Sequence, residues 1–223
     1  MKNSPSSLES IGGGIARAAV IIAVMWFFWK LGGFQMLLLI NRYYGTGLVT
    51  DVFTSVYGPI VYTIFYASTL KVFKPAFMPL FAERRQRYGE ADAWRLVNTC
   101  LNLLLLFAMA TAVLAFIFAP TIIGTLLPKF SAEAKAAAVI LMRWMLPGLL
   151  VMVFAITALA VLTSYKDFFH PSASDALQKL VWAVTVFLAM SVLKVSRAPE
   201  FAPHVIGATF LVGWAARAAL LLY

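Results

Sequence analysis

The chain of 223 residues is 62% apolar, 14% aromatic and only 12% charged, and its mean hydropathy is +0.88. Ordinary soluble domains carry about 25% charged residues, and no single core of this size hides so much apolar area from water, so a cytosolic enzyme is excluded and the solvent is lipid. The net charge of +9 is scattered, without a basic tract of the kind that binds nucleic acid, and the single Cys100 cannot by itself form an intrachain disulfide or a cysteine metal cluster.

Six apolar segments near 15–41, 50–70, 96–119, 137–163, 176–193 and 204–223 each approach the ~20 residues that cross a bilayer. They predict an all-α, polytopic membrane protein. Residues 1–14 form a polar leader, charged only at Lys2 and Glu9, with no cleavable signal peptide behind it. The first span is long and is interrupted by Lys30 and the Gly32-Gly33 pair, which predicts a kinked helix with Gly33 at the hinge. The second opens near Asp51, holds Gly58-Pro59, and runs on into LKVFKPAFMPLFAERRQRYG. Pro75 and Pro79 there predict a break as the chain leaves the membrane. The fourth span carries Arg143 and a second bend at Pro147-Gly148, the fifth Asp175 and Lys179, and the sixth Arg217. Prolines within spans free backbone carbonyls and bend helices, a property suited to transporters that alternate between two openings. The last span stops at Leu220-Leu221-Leu222-Tyr223 with no polar flank, which predicts that the chain is continued or is completed by another polypeptide.

Orientation follows from the basic residues outside the spans. The 82–95 connection holds Arg84, Arg85, Arg87 and Arg95, and the positive-inside rule places it in the cytoplasm. The N-terminus, the Lys166 connection and the C-terminus then lie on the same side, and the 42–49, 120–135 and 194–203 connections face outward. An ionisable residue inside a span costs about 2.5–3.5 kcal/mol on insertion scales and marks a functional site by default. Lys30 and Arg143 are predicted to be deep. Lys71 and Lys74, three residues apart, share a helix face, and Asp175 and Lys179, four apart with the acid first, predict an ion pair within one helix. Lys30, Lys71, Lys74, Arg143 and Arg217 outnumber the acids that could neutralise them, so the interior is read as a cationic cavity for an anionic cargo, a carboxylate or a phosphate. Asp51, at a membrane edge, is the candidate for coupling or gating. The chain has no Walker A loop, HExxH, GxSxG or CxxC, so no cofactor, metal site or enzymatic activity is expected. Its two histidines, His170 and His204, each adjoin a proline near a helix start, where capping or an interfacial position is expected.

The stretch FWKLGGFQMLLLINRYYGTGLVTDVFTSVYGP resembles the first two helices of the MurJ/MviN lipid II flippases, within the multidrug/oligosaccharidyl-lipid/polysaccharide exporter superfamily. The matching features are Lys30 ahead of Gly33-Phe34, the turn at Tyr44-Gly45, and Thr50-Asp51-Val52-Phe53 opening the second helix. Phe77-Met78-Pro79 is similar to the family's exit from that helix. Pro128, Phe130, Arg143 and Pro147 are similar to its fourth helix and the connection before it, and Phe168, Phe169 and Pro171 to the turn into its fifth. The resemblance implies a fourteen-helix flippase whose first six helices form the N-terminal lobe. It implies a cavity between lobes that takes an undecaprenyl-pyrophosphate-linked peptidoglycan precursor and carries it from the inner to the outer leaflet of the bacterial cytoplasmic membrane. Partners would be that anionic lipid, the surrounding membrane lipid, and a second lobe from the same chain, a separate subunit or a second copy. Lys30, Arg143 and Asp51 are the positions carried over. Where the family has further arginines, Met36 and the Tyr62-Thr63-Ile64-Phe65 stretch stand here, and Lys71 and Lys74 supply charge nearby. The alternatives are an exporter of another lipid-linked polysaccharide, or a half-transporter that scaffolds cell-envelope enzymes without transport.

Overall fold

The computed structural model describes residues 7–45, 47–192 and 198–222. The first six residues of the polar leader and the whole Lys194–Arg197 part of the third outer connection therefore lie outside the described residues. In chain order the helices are α1 (Ser7–Tyr44), α2 (Leu48–Ser55), a π-helical segment π1 (Val56–Ala67), α3 (Ser68–Tyr88), α4 (Glu90–Ile117), α5 (Ala119–Leu126), α6 (Ala132–Met145), α7 (Gly148–Ser164), α8 (Phe169–Ser191), a 3₁₀ turn (Pro199–Phe201) and α9 (Ala202–Leu222). Five stretches are long and apolar enough to cross a membrane, and α6 with α7 makes a sixth, bent by 45°. The chain is a multi-pass membrane protein. Apolar composition over about twenty residues sets these spans, because in hydrocarbon every backbone polar group must bond within its own helix.

Three local expectations are corrected. The bend at Pro147 is present, but α1 runs without interruption through Gly32 and Gly33. Gly32 serves close packing instead: a Cβ there would lie 2.9 Å from the Cβ of Lys179, while one on Gly33 would meet nothing within 4 Å. Span two is not broken at Pro75 or Pro79 either, since α3 continues to Tyr88. Both prolines are exposed, and on the opposite side Phe73, Phe77 and Phe81 stack at 5.0 and 5.6 Å. Phe77 and Phe81 are buried against Ala93, Val97, Ala160 and Val161 of α4 and α7, so packing holds the helix where the prolines remove hydrogen bonds. The expected 82–95 loop is a hairpin of two helices turning on Gly89, whose φ of +88° is a conformation that glycine adopts without strain.

Helix α8 lies at the centre, packed mainly between α1 and α9. It runs parallel to α1, with Gly32 beside Lys179 at one level and the Tyr43 hydroxyl 2.5 Å from Ser191 Oγ at another. It runs antiparallel to α9, with Asp175 opposite Arg217 and Trp182 against Phe210. The turn at Gly89 and the 165–168 connection share one end of the bundle: Tyr165 donates to Glu90 Oε1 at 2.5 Å, and the Arg85 guanidinium lies 4.3 Å over the Tyr165 ring. This is the basic end.

The π register of span two decides which side chains line up. In an α-helix two residues five apart point about 140° away from each other, yet Tyr57 and Tyr62 have ring centroids 6.1 Å apart and Tyr62 and Tyr66 5.3 Å apart. Bonding from i to i+5 widens the helix, and Thr63 adds a side-chain bond of 2.9 Å back to the Gly58 carbonyl, five residues earlier. Pro59 sits inside this segment, where its missing N–H removes one α-type hydrogen bond. The result is a column of three tyrosines facing α8 and α9.

Candidate functional site

Among the described residues two cations, Lys179 and Arg217, are buried in the spans, and each is met by a different part of the tyrosine column. Arg217 of α9 is 1% exposed. Its Nη1 bonds Asp175 Oδ1 at 2.6 Å and the Tyr66 hydroxyl at 3.0 Å, and its guanidinium lies 5.0 Å from the Trp214 ring. Lys179 of α8 donates from Nζ to the Tyr57 hydroxyl. Its ammonium sits within an aromatic box, 4.6 Å from Tyr57, 5.0 Å from Trp182, 5.8 Å from Trp29 and 6.0 Å from Tyr62. The intrahelical pair of Asp175 with Lys179 expected from their spacing is therefore not formed. The antiparallel crossing of α8 and α9 brings a guanidinium to the carboxylate, and the lysine reaches across to π1.

Two cavities adjoin this cluster, and Trp29 lines both. The first, of about 350 Å³, lies between α1, π1 and α8, with Lys30, Gly33, Tyr57, Tyr62 and Lys179 on its walls. The second, of about 310 Å³, holds Lys74 and Asp175 together with Trp26 of α1 and Phe168 and Pro171 from the start of α8, placing it toward the basic end. Lys30 is exposed, its ammonium 5.1 Å from each of the Trp26 and Trp29 rings. One indole, that of Trp29, thus has two ammonium groups within 6 Å.

The expected cationic set is only partly brought together. Lys30 and Lys74 line the two cavities, while Lys71, on the exposed side of α3, lines neither. Arg143 is not deep beside them. It donates from Nε to the Phe116 carbonyl at 3.3 Å and covers the Phe116 ring at 4.9 Å, at the far end of α4 from the basic turn. Asp51 is exposed in the first turn of α2 and lines neither cavity. His204 accepts from Trp144 Nε1 at 2.7 Å, and His170 bonds Asp167 ahead of α8. Among the described residues no three His, Cys, Asp or Glu side chains cluster as metal ligands.

Residues 40–223 match the family described as lipid II flippase MurJ. The chain belongs to that family. MurJ proteins are membrane transporters, not enzymes. The fold is also similar to a solved structure titled lipid II flippase MurJ, inward closed conformation, with a TM-score of 0.71 and 19% identity. The match takes in 91% of this chain and 41% of that one, so the chain spans about two fifths of the length of that MurJ structure. At this identity the likeness speaks for the six-span lobe architecture, and the residues of the site have to be argued from their own geometry.

Residues that the sequence left unassigned to the cavities include Lys179, Trp29, Asp175, Tyr57 and Tyr62. Lys179 was visible as an intramembrane charge. Its direction depends on the parallel contact of α1 with α8, which no local spacing encodes.

Proposed function

We propose that this chain forms one lobe of a flippase that carries an anionic, polyprenyl-pyrophosphate-linked cell-wall precursor from the inner to the outer leaflet of the bacterial cytoplasmic membrane. The observation that carries this reading is that three ammonium groups from three different helices, Lys30, Lys74 and Lys179, line two adjoining intramembrane cavities in a chain of the MurJ family. Cations inside a membrane are costly unless they serve an anion or a water-filled path. The basic end faces the cytoplasm, as the positive-inside rule requires of Arg84, Arg85, Arg87 and Arg95, and both termini lie on that side. A second lobe closes the open side of the cavities, and rocking of the two bundles about the site exposes the headgroup to each face in turn. The lipid tail stays in the bilayer throughout. Energy comes from the membrane potential or an ion gradient, with Asp51 as the coupling group.

Headgroup exposure tests this. In cells that depend on this chain, the outer-leaflet precursor is measured with an added headgroup-modifying enzyme. Lys30→Ala and Lys74→Ala, inserted at normal levels, are expected to abolish exposure, and Asp51→Asn to flatten its dependence on the imposed potential. Unaltered exposure in both lysine variants refutes transport through these cavities and favours the scaffold role. Because the cavity cations are lysines, which act as point charges and lack the fixed fork of arginine, a different lipid-linked saccharide as cargo is the second reading. Exposure of such a lipid with no change in the peptidoglycan precursor would establish it.

A further inference from the structure

Lys179 has no structural task that explains its cost. Asp175, the acid four residues away, is committed to Arg217, and among the described residues no carboxylate lies within ion-pair distance of the Lys179 ammonium. What holds it is one neutral hydroxyl and four ring faces. Such contacts stabilise a cation but leave its charge uncompensated.

We infer that Lys179 is a parked anion-binding residue, which together with Lys30 forms a two-ammonium site for a phosphate-type dianion in the cavity between α1, π1 and α8. The inference rests on the reading of the chain as a carrier of a pyrophosphate-linked lipid, and it assigns the part of the headgroup that this cavity takes. Three observations support it. Both lysines line the same cavity, and both ammonium groups flank the ring of Trp29. The absence of a Cβ on Gly32 lets α8 approach α1 so closely that the Lys179 stem starts against α1 two residues along from Lys30. Charge-assisted hydrogen bonds to phosphate oxygens are stronger than cation–π contacts with neutral rings, and the flexible four-carbon stem of a lysine can swing from one to the other. Arg217 provides the contrast: its carboxylate and hydroxyl partners already hold it in place.

A parked state lowers apparent affinity by the fraction of lysine that has left the box. Weakening the box therefore tightens anion binding, a sign opposite to that expected from damage to a merely structural contact. The test is a calorimetric titration of the full chain in zwitterionic lipid nanodiscs with inorganic pyrophosphate at fixed ionic strength. Lys179→Gln and Lys30→Gln are each expected to weaken binding by about tenfold or more, and Tyr57→Phe to tighten it by about threefold or more. Affinity of Lys179→Gln within about twofold of the parent, weaker binding by Tyr57→Phe, or no pyrophosphate binding by the parent overturns the inference. If Lys179→Gln does not fold, Tyr57→Phe decides alone, because it removes a single oxygen. Loss of headgroup exposure in cells bears on the flippase reading, and the pyrophosphate titration on the lysine pair, so either can fail without the other.

Discussion

Replacing Asp175 with asparagine isolates the one ion pair with a buried cation among the described residues. Arg217 is 1% exposed, and its charge is met by a 2.6 Å contact to Asp175 and a 3.0 Å hydrogen bond to Tyr66, while its Nε and Nη2 have no partner among the described residues. Removing one member of a buried pair typically costs about 3–5 kcal/mol, because the remaining charge is left uncompensated. Here the Asp175 side chain is 33% exposed and asparagine keeps an acceptor oxygen, so about 2–3 kcal/mol is the expected loss. For a chain of this size each kcal/mol moves the unfolding midpoint by about 2–4 °C, giving a fall of about 4–12 °C for Asp175→Asn. Thermal unfolding in detergent, followed by tryptophan fluorescence, measures it. The paired variant Asp175→Leu with Arg217→Met, which removes both charges, should recover most of the loss. A fall smaller than about 2 °C, or a paired variant as unstable as Asp175→Asn, would refute the argument that the pair neutralises a buried cation.

Three further outcomes follow from the packing. Gly32→Ala should cost about 1–3 kcal/mol, since its new Cβ meets Lys179 at 2.9 Å and α1 must move from α8; Gly33→Ala, with open space around it, should be neutral or raise the unfolding midpoint slightly. Burial alone would raise the Asp167 carboxyl, but its hydrogen bonds to the His170 side chain and to the His170 and Phe169 amides hold it below the usual carboxylate range. Its folded value lies below the unfolded one, so its contribution is complete above about pH 4 and is lost as the pH falls through the folded value. The unfolding midpoint of the parent should therefore exceed that of Asp167→Asn at neutral pH and converge on it in acid; parallel curves would contradict the assignment. Lys166, at φ +63°, ends α7 in the left-handed region, and Lys166→Gly should stabilise the chain by about 0.5–1 kcal/mol, read as a rise in the same midpoint.

The six spans were legible because hydrocarbon imposes one rule on every helix that crosses it, and a twenty-residue apolar run satisfies that rule whatever its neighbours are. The bend at Pro147 was legible for the same reason, as a local loss of hydrogen bonding that α6 and α7 express as a 45° change of direction. Features that depend on a second helix were not. Pro75 and Pro79 read as breakers, and the Phe73, Phe77 and Phe81 stack against α4 and α7 overrides them. Gly33 read as a hinge, whereas α1 is continuous there and it is Gly32 whose missing Cβ lets α8 come close, with Lys179 against it. Arg143 read as deep from its apolar neighbours, whereas its guanidinium turns to the end of α4.

The candidate site was legible as a list of charges and illegible as an arrangement. Spacing of four residues pairs Asp175 with Lys179 on paper, and the choice between that pair and Asp175 with Arg217 is made by the register of α8 against α9. The tyrosine column is further from the sequence, since Tyr57 and Tyr62 diverge in any α-helical wheel and align only in the π register of Val56–Ala67. That register ties the two cations together. Tyr57 holds Lys179 and Tyr66 holds Arg217, so a change of π1 toward α-helical bonding, which would turn Tyr57 and Tyr62 apart, could not leave both contacts in place. Arginine and lysine divide the work according to their chemistry: the planar guanidinium is fixed between a carboxylate and a hydroxyl, and the mobile ammonium rests where an anion can draw it away. A helix that can rewind by one hydrogen-bond register would then link release of the parked lysine to the geometry of span two, the span in which Pro59 already favours the wider form.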